Sequence, residues 1–127
     1  MSDKKKILVI DDEPQFAMFL VTLLEDNGYA TVTARDGREG LEKTRTERPD
    51  LVLLDITMPE KSGVKYYREL KEDPDLKGLP VVIVTGISKD FEKFISTRRQ
   101  VPAPEGYISK PVDQKDLLAT IGKLLAP

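Results

Sequence analysis

The stretch DLVLLDITMP, Asp50 to Pro59, decides how the rest of the chain reads. Leu51 to Leu54 are an unbroken apolar run, closed by a carboxylate at Asp55 and then by Pro59. A run without polar alternation is expected of a parallel strand covered by helices on both faces. An acid at the end of such a strand needs a reason, and the reason lies in what ends its neighbours.

Outward from this stretch, short apolar runs alternate with longer amphipathic ones. KILVI (Lys6 to Ile10), ATVTA (Ala30 to Ala34), LVLLD (Leu51 to Asp55), PVVIVT (Pro80 to Thr85) and GYIS (Gly106 to Ser109) read as strands. The second alternates, which suits a half-exposed edge; the first, third and fourth are apolar throughout. The spacing predicts helices over Pro14 to Asn27, Arg38 to Glu47, Val64 to Glu72, Asp90 to Arg99 and Gln114 to Leu125. Pro14 suits a first helical turn, Gly28 a C-terminal stop, and Asp36 and Asp113 N-caps. In the last helix Leu117, Leu118, Ile121, Leu124 and Leu125 form one stripe at helical spacing. Five βα repeats predict an α/β fold, an open doubly wound parallel sheet with right-handed crossovers and helices on both faces.

Composition narrows the function classes. A chain of 127 residues makes a single domain that buries roughly two thirds of its extended surface without staples. Its 20 basic and 22 acidic residues leave a net charge of -2, so the global field favours neither nucleic acid nor an anionic membrane. With no Cys and no His it builds no disulfide and no ordinary zinc site, and it suits a reducing compartment. No apolar run approaches the roughly 20 residues of a membrane span, and the start MSDKKKILVI lacks the long apolar core of a signal peptide. The expectation is a soluble, cytoplasmic protein. Lys4 to Lys6 read as a solvated terminus with no partner.

The strand ends share a character. The first strand ends in Asp11 and Asp12, the third in Asp55, the fourth in Thr85 and Gly86, and the fifth in Lys110 and Pro111. In an open α/β sheet ligands bind beyond the carboxyl ends of the strands, where the strand order switches direction. Singly, each residue has a plain explanation: Asp12 as a helix cap, Asp55 as a turn residue, Thr85 as a strand former, Lys110 as a surface lysine, Tyr107 as a core aromatic. Their coincidence on one edge is what those explanations leave out. In the order 2-1-3-4-5, Asp11, Asp12, Asp55 and Thr85 fall on adjacent strands. The fifth strand lies roughly 10 Å from the third, a gap that a long side chain such as Lys110 spans.

Carboxylates so close repel by about 4 kcal/mol per pair at roughly 4 Å and an effective dielectric of about 20. A cation therefore belongs in the site. Oxygen ligands without His or Cys, in an open crevice, suit Mg²⁺ before Ca²⁺ and far before Zn²⁺. A metal, a carboxylate, a hydroxyl and an ammonium around one spot make a phosphoryl-transfer site. The carboxylate can itself be the nucleophile, giving an aspartyl phosphate.

DDE (Asp11 to Glu13), DITMP (Asp55 to Pro59), SG (Ser62, Gly63), TG (Thr85, Gly86) and YISKP (Tyr107 to Pro111), in this order and spacing, resemble the receiver domain of two-component response regulators, in particular the single-domain chemotaxis type. The likeness spans essentially the whole chain. It implies a flavodoxin-like (βα)5 fold, and the strand order 2-1-3-4-5 is part of that implication. It also implies that Asp55 accepts a phosphoryl group from a phosphohistidine on a sensor kinase or phosphotransfer protein. Asp12 and Asp55 would hold Mg²⁺ directly, Asp11 mainly through water, and Thr57 through its backbone carbonyl. Lys110 would pair with a carboxylate before phosphorylation and with a phosphoryl oxygen after it. Thr85 would donate its hydroxyl to another, and Gly86 would leave room for the group. The movement of Thr85 would let Tyr107 turn inward, changing the face formed by the fourth helix, the fifth strand and the fifth helix; a protein target, or a second copy in a dimer, would read that face. Lys110-Pro111 would be a cis peptide.

The segment GISKDFEKFISTRRQVPAPEGYIS, Gly86 to Ser109, is a few residues longer than the family pattern. It reads as a longer surface loop, or else as an altered signalling face offering Arg98 and Arg99 to an acidic partner, with Pro102 to Glu105 as the part to delete in a test. Ile87 cannot position an attacking water, so slow self-dephosphorylation is expected. The chain carries no output module after the fifth helix and reads as one receiver domain over 1–127, either stand-alone or cut from a longer regulator or hybrid kinase. A haloacid-dehalogenase-like Mg²⁺ phosphatase would normally carry a second Asp two residues after the nucleophile, where Thr57 stands. A flavodoxin-like cofactor carrier would place Ser, Thr and Gly after the first strand, where Asp11, Asp12 and Glu13 would repel a phosphate. No P-loop sequence is present.

Overall fold

The apolar runs become β1 (Lys6–Ile10), β2 (Ala30–Ala34), β3 (Leu51–Asp55), β4 (Val81–Thr85) and β5 (Gly106–Ser109), and the helical stretches α1 (Pro14–Asp26), α2 (Gly37–Glu47), α3 (Ser62–Glu72) and α4 (Gln114–Leu125). The structure, a computed structural model, describes residues 4–55, 62–85, 105–109 and 111–126, and for 62–64, 85, 107 and 109 the backbone alone. The predicted helix over Asp90 to Arg99 lies outside the described residues, as do Ile87, Arg98, Arg99 and Pro102. All five strands run parallel in the order β2-β1-β3-β4-β5. Sequence and structure differ by a few residues at element ends. β4 begins at Val81 because Pro80 has no N–H to give the ladder. Asn27 caps α1 without belonging to it, α2 starts one residue early at Gly37, and α3 starts at Ser62.

Side chains of successive strand residues point to opposite faces, which divides each apolar run into two cores. Leu8, Ile10, Val52, Leu54, Val81 and Ile83 pack with Tyr66, Tyr67 and Leu70 of α3. Ile7, Val9, Leu51, Leu53, Val82 and Val84 pack with Leu20 and Leu24 of α1 and with Leu117 and Ile121 of α4. β2 is the half-exposed edge its alternation predicts.

The helix ends follow local chemistry. Pro14 opens α1. Gly28, at φ +91°, closes it: Gly28 N–H donates to Glu25 O at 3.2 Å and Tyr29 N–H to Leu24 O at 3.1 Å, the paired closure that needs a left-handed residue. Asp36 and Asp113 cap α2 and α4 by accepting the N–H groups of Glu39 (2.8 Å) and Asp116 (3.1 Å).

At the amino-terminal edge of the sheet, one reading changes. Lys6 is no solvated terminal residue, since its Nζ donates to Glu47 O at 3.1 Å and pairs with Glu47 Oε1 at 3.3 Å. Glu105, just before β5, is tied down as well. Its carboxylate accepts the Val81 N–H at 2.7 Å and pairs at 3.4 Å with Lys71, whose side chain is only 2% exposed and also donates to Lys77 O and Leu79 O.

Candidate functional site

The opposite, carboxyl-terminal edge gathers the acids. Ile10 and Leu54 are register partners, so Asp11 and Asp55 leave the adjacent strands β1 and β3 side by side. Asp11 N–H donates to Ala34 O at 3.0 Å, carrying the β1–β2 ladder one residue past β1. Both carboxyl-bearing residues are nearly closed to solvent, Asp11 at 3% and Asp55 at 2% exposure. The Asp11 carboxylate also accepts the Glu13 N–H at 2.8 Å, which ties the acid to the entry of α1. Asp12 does not cap that helix. Glu13 occupies the cap position without a side-chain cap bond, and Asp12 stands exposed.

Carboxylate oxygens of Asp11, Asp12, Glu13 and Asp55 all lie within 4.8 Å of one another, two of the residues buried and two exposed. Four negative groups at that separation favour a bound cation. All donors are oxygens and the exposed pair opens the site to water, so the residues present fit a hard divalent ion that keeps part of its hydration, such as Mg²⁺. From Asp11 and Asp12 a cleft of about 450 Å³ runs along α1 past Pro14, Met18 and Val21 and over Thr33 of β2. A larger hollow, about 770 Å³, lies on the other edge between Arg45, Arg48, Asp73 and Leu79. Its charges already offset one another through the Arg45–Asp73 pair at 3.4 Å, and it holds none of the converging acids.

The remaining site positions are reached by the backbone alone. Asp55 pairs with Val84, so Thr85 ends β4 one residue beyond Asp55's partner; Thr85 pairs with Ser109, and Tyr107 with Ile83. Thr57, Gly86 and Lys110, and with Lys110 the peptide bond to Pro111, lie outside the described residues. The sequence reading missed Glu13 as a member of the carboxylate group. Its place directly after Asp11 and Asp12, with the chain turning into α1, was the available signal.

Residues 7–122 match the family described as response regulator receiver domain. The chain is 36% identical over 121 residues to Protein PilH of Pseudomonas aeruginosa, covering 95% of this chain and 98% of that protein. It is 34% identical over 121 residues to the polar-differentiation response regulator DivK of Brucella anthropi, covering 95% and 96%. Among solved structures, the chemotaxis protein CheY4 of Vibrio cholerae superposes with a TM-score of 0.83 at 27% identity, over 96% of this chain and 99% of that one. The chain belongs to the response regulator receiver domain family. It is thus a phosphorylation-activated signalling switch of the two-component type, not a classical enzyme. Phosphorylation on Asp and Mg²⁺ binding are general features of that family, and its members work with histidine kinases and downstream targets. Nothing supports the phosphatase alternative. Among the described residues no helix is long and apolar enough to cross a membrane.

Proposed function

We propose that Asp55 is the phosphoacceptor of a cytoplasmic receiver domain, charged by a sensor histidine kinase or a phosphotransfer protein. The observation that carries this is a carboxylate 2% exposed at the end of a central strand, with the carboxylates of Asp11, Asp12 and Glu13 within 4.8 Å. In the transfer the N–P bond of phosphohistidine breaks, an O–P bond forms at an Asp55 carboxylate oxygen, and the imidazole regains its nitrogen lone pair. Asp12 and Asp55 would hold Mg²⁺ directly, Asp11 through water and Thr57 through its carbonyl. When bound, the ion offsets the charge of the acids and of the incoming phosphoryl oxygens. Burial of Asp55 keeps bulk water from the acyl phosphate, and exposure of Asp12 leaves one side of the site open to the donor.

Lys110 and Thr85 take the two remaining phosphoryl oxygens, and Gly86 leaves space for the group. Recruitment of Thr85 frees the space into which Tyr107 turns, and a face that includes β5 and α4 is then read by a protein target. Ile87 offers attacking water no hydrogen bond, so the phosphorylated state is long-lived.

The test is the intact mass of the protein after incubation with a small phosphodonor and Mg²⁺, beside Asp55→Asn. One added phosphoryl group is expected, absent in the variant and without Mg²⁺. An equal gain in Asp55→Asn would overturn the assignment.

A further inference from the structure

The register that places Asp11 beside Asp55 is not set by the apolar pattern. β1 and β3 are buried on both faces, so no inside–outside alternation along them distinguishes one pairing from another. A slip of two residues keeps every apolar side chain on its own face. It would carry Asp11 roughly 7 Å along the strand from Asp55, at about 3.3 Å per residue, too far for both to serve one cation.

A polar hook at the far edge closes off that slip. Asp50 N–H donates to Lys6 O at 2.7 Å, and the Asp50 carboxylate accepts the Lys6 N–H at 2.8 Å. One residue thus satisfies both backbone groups of the first residue of β1, and it does so in a single register. Lys6 stands five positions before Asp11, and Asp50 five before Asp55. The β4–β5 pair repeats the device. Glu105 N–H donates to Val81 O at 3.0 Å while the Glu105 carboxylate accepts the Val81 N–H at 2.7 Å. In both cases the acid immediately precedes a strand and hooks the first residue of its neighbour.

We propose that Asp50 is a positioning residue for the metal site. By locking β3 to β1 through Lys6 at one end of the sheet, it holds Asp11 and Asp55 level at the other. The inference rests on the reading that these two acids bind Mg²⁺. A residue that only stabilises the fold would leave Mg²⁺ affinity intact in whatever protein remains folded. A positioning residue changes it.

The experiment is calorimetric titration of Mg²⁺ into the full chain, with stability followed separately by urea unfolding. Asp50→Ala is expected to raise the Mg²⁺ dissociation constant about tenfold, the low end of what supporting partners of metal ligands cost. Asp50→Asn keeps an oxygen for the Lys6 N–H and is expected within about twofold of wild type, less than the low end of that range. Thr44→Val serves as the control for lost stability, because it removes a buried hydrogen bond between α2 and α3 and touches neither strand end; its Mg²⁺ affinity should match wild type. Should Asp50→Ala not fold, Lys6→Pro deletes the donor at the first residue of a strand, where proline is tolerated, and should weaken Mg²⁺ in the same way. Wild-type affinity in folded Asp50→Ala or Lys6→Pro, together with weakened affinity in Asp55→Asn, would overturn the positioning role alone. Unweakened affinity in Asp55→Asn would overturn the metal-site reading and this inference with it.

Discussion

Replacing Thr44 by Val should destabilise the protein more than replacing its partner Tyr66 by Phe, although both delete one hydroxyl from the same hydrogen bond. Thr44 Oγ1 lies 2.7 Å from Gly40 O and 2.7 Å from the Tyr66 hydroxyl, and both residues are 1% exposed. The Thr44 hydroxyl has a single proton. Directed at the Gly40 carbonyl, it leaves Tyr66 as the donor in the second bond. Tyr66→Phe then removes a donor, and Thr44 keeps its bond to the helix; the expected loss is about 1 kcal/mol. Thr44→Val strands the Tyr66 O–H in an apolar interior, adding a desolvation cost, so about 2–3 kcal/mol is expected. The double variant should cost less than the sum of the single ones, since it removes the stranded group. Urea unfolding followed by circular dichroism measures all three. Equal losses, or strict additivity, would refute the assignment of donor and acceptor.

The same phenol carries a pH signature. Burial pushes the Tyr66 hydroxyl above its ordinary value of 10.0. The unfolded chain therefore releases this proton near pH 10 while the folded chain still holds it. The stabilisation is fully present below pH 10 and is lost as pH rises above it, at up to about 1.4 kcal/mol per pH unit. Tyr66→Phe should flatten that part of the stability profile, and an unchanged slope above pH 10 would count against it.

Three further outcomes are expected. Glu105→Ala deprives the buried Lys71 of its ion partner and Val81 of its acceptor, for about 2 kcal/mol, lowered from the fully buried case because Glu105 is a third exposed; Lys71→Met, which removes the cation but keeps the bulk, should cost less in the same urea titration. Asp113→Ala should lower stability by about 1 kcal/mol through loss of the bond to Asp116 N–H, and Asp113→Asn should restore most of it. Ile87→Glu should shorten the lifetime of the phosphorylated protein, measured as decay of the added mass; slower decay than wild type would contradict the role given to Ile87.

Much of the architecture was legible because it is written in local patterns. Unbroken apolar runs at Lys6–Ile10, Leu51–Asp55 and Val81–Thr85 mark parallel strands covered on both sides, and both cores are built from their alternate residues. Asp36, Asp113, Pro14 and Gly28 announce helix ends through chemistry confined to a few residues, and each acts there as expected. Element ends shifted where a backbone group had no partner, as at Pro80. The plain reading of Asp12 failed for a different reason. Whether a carboxylate caps its own helix or reaches a residue 24 positions away depends on neighbours that the local sequence does not contain.

By itself the sequence determined which residues become strands and that their acids share one edge of a doubly wound sheet, because strand periodicity and chain direction are local properties. Only the tertiary structure decided which acids stand level with one another and that Glu13 joins them. It also decided that Asp50, 44 residues from Lys6, closes the register beneath them. Strands apolar on both faces carry no internal mark of register, so that choice falls to hydrogen bonds between distant residues.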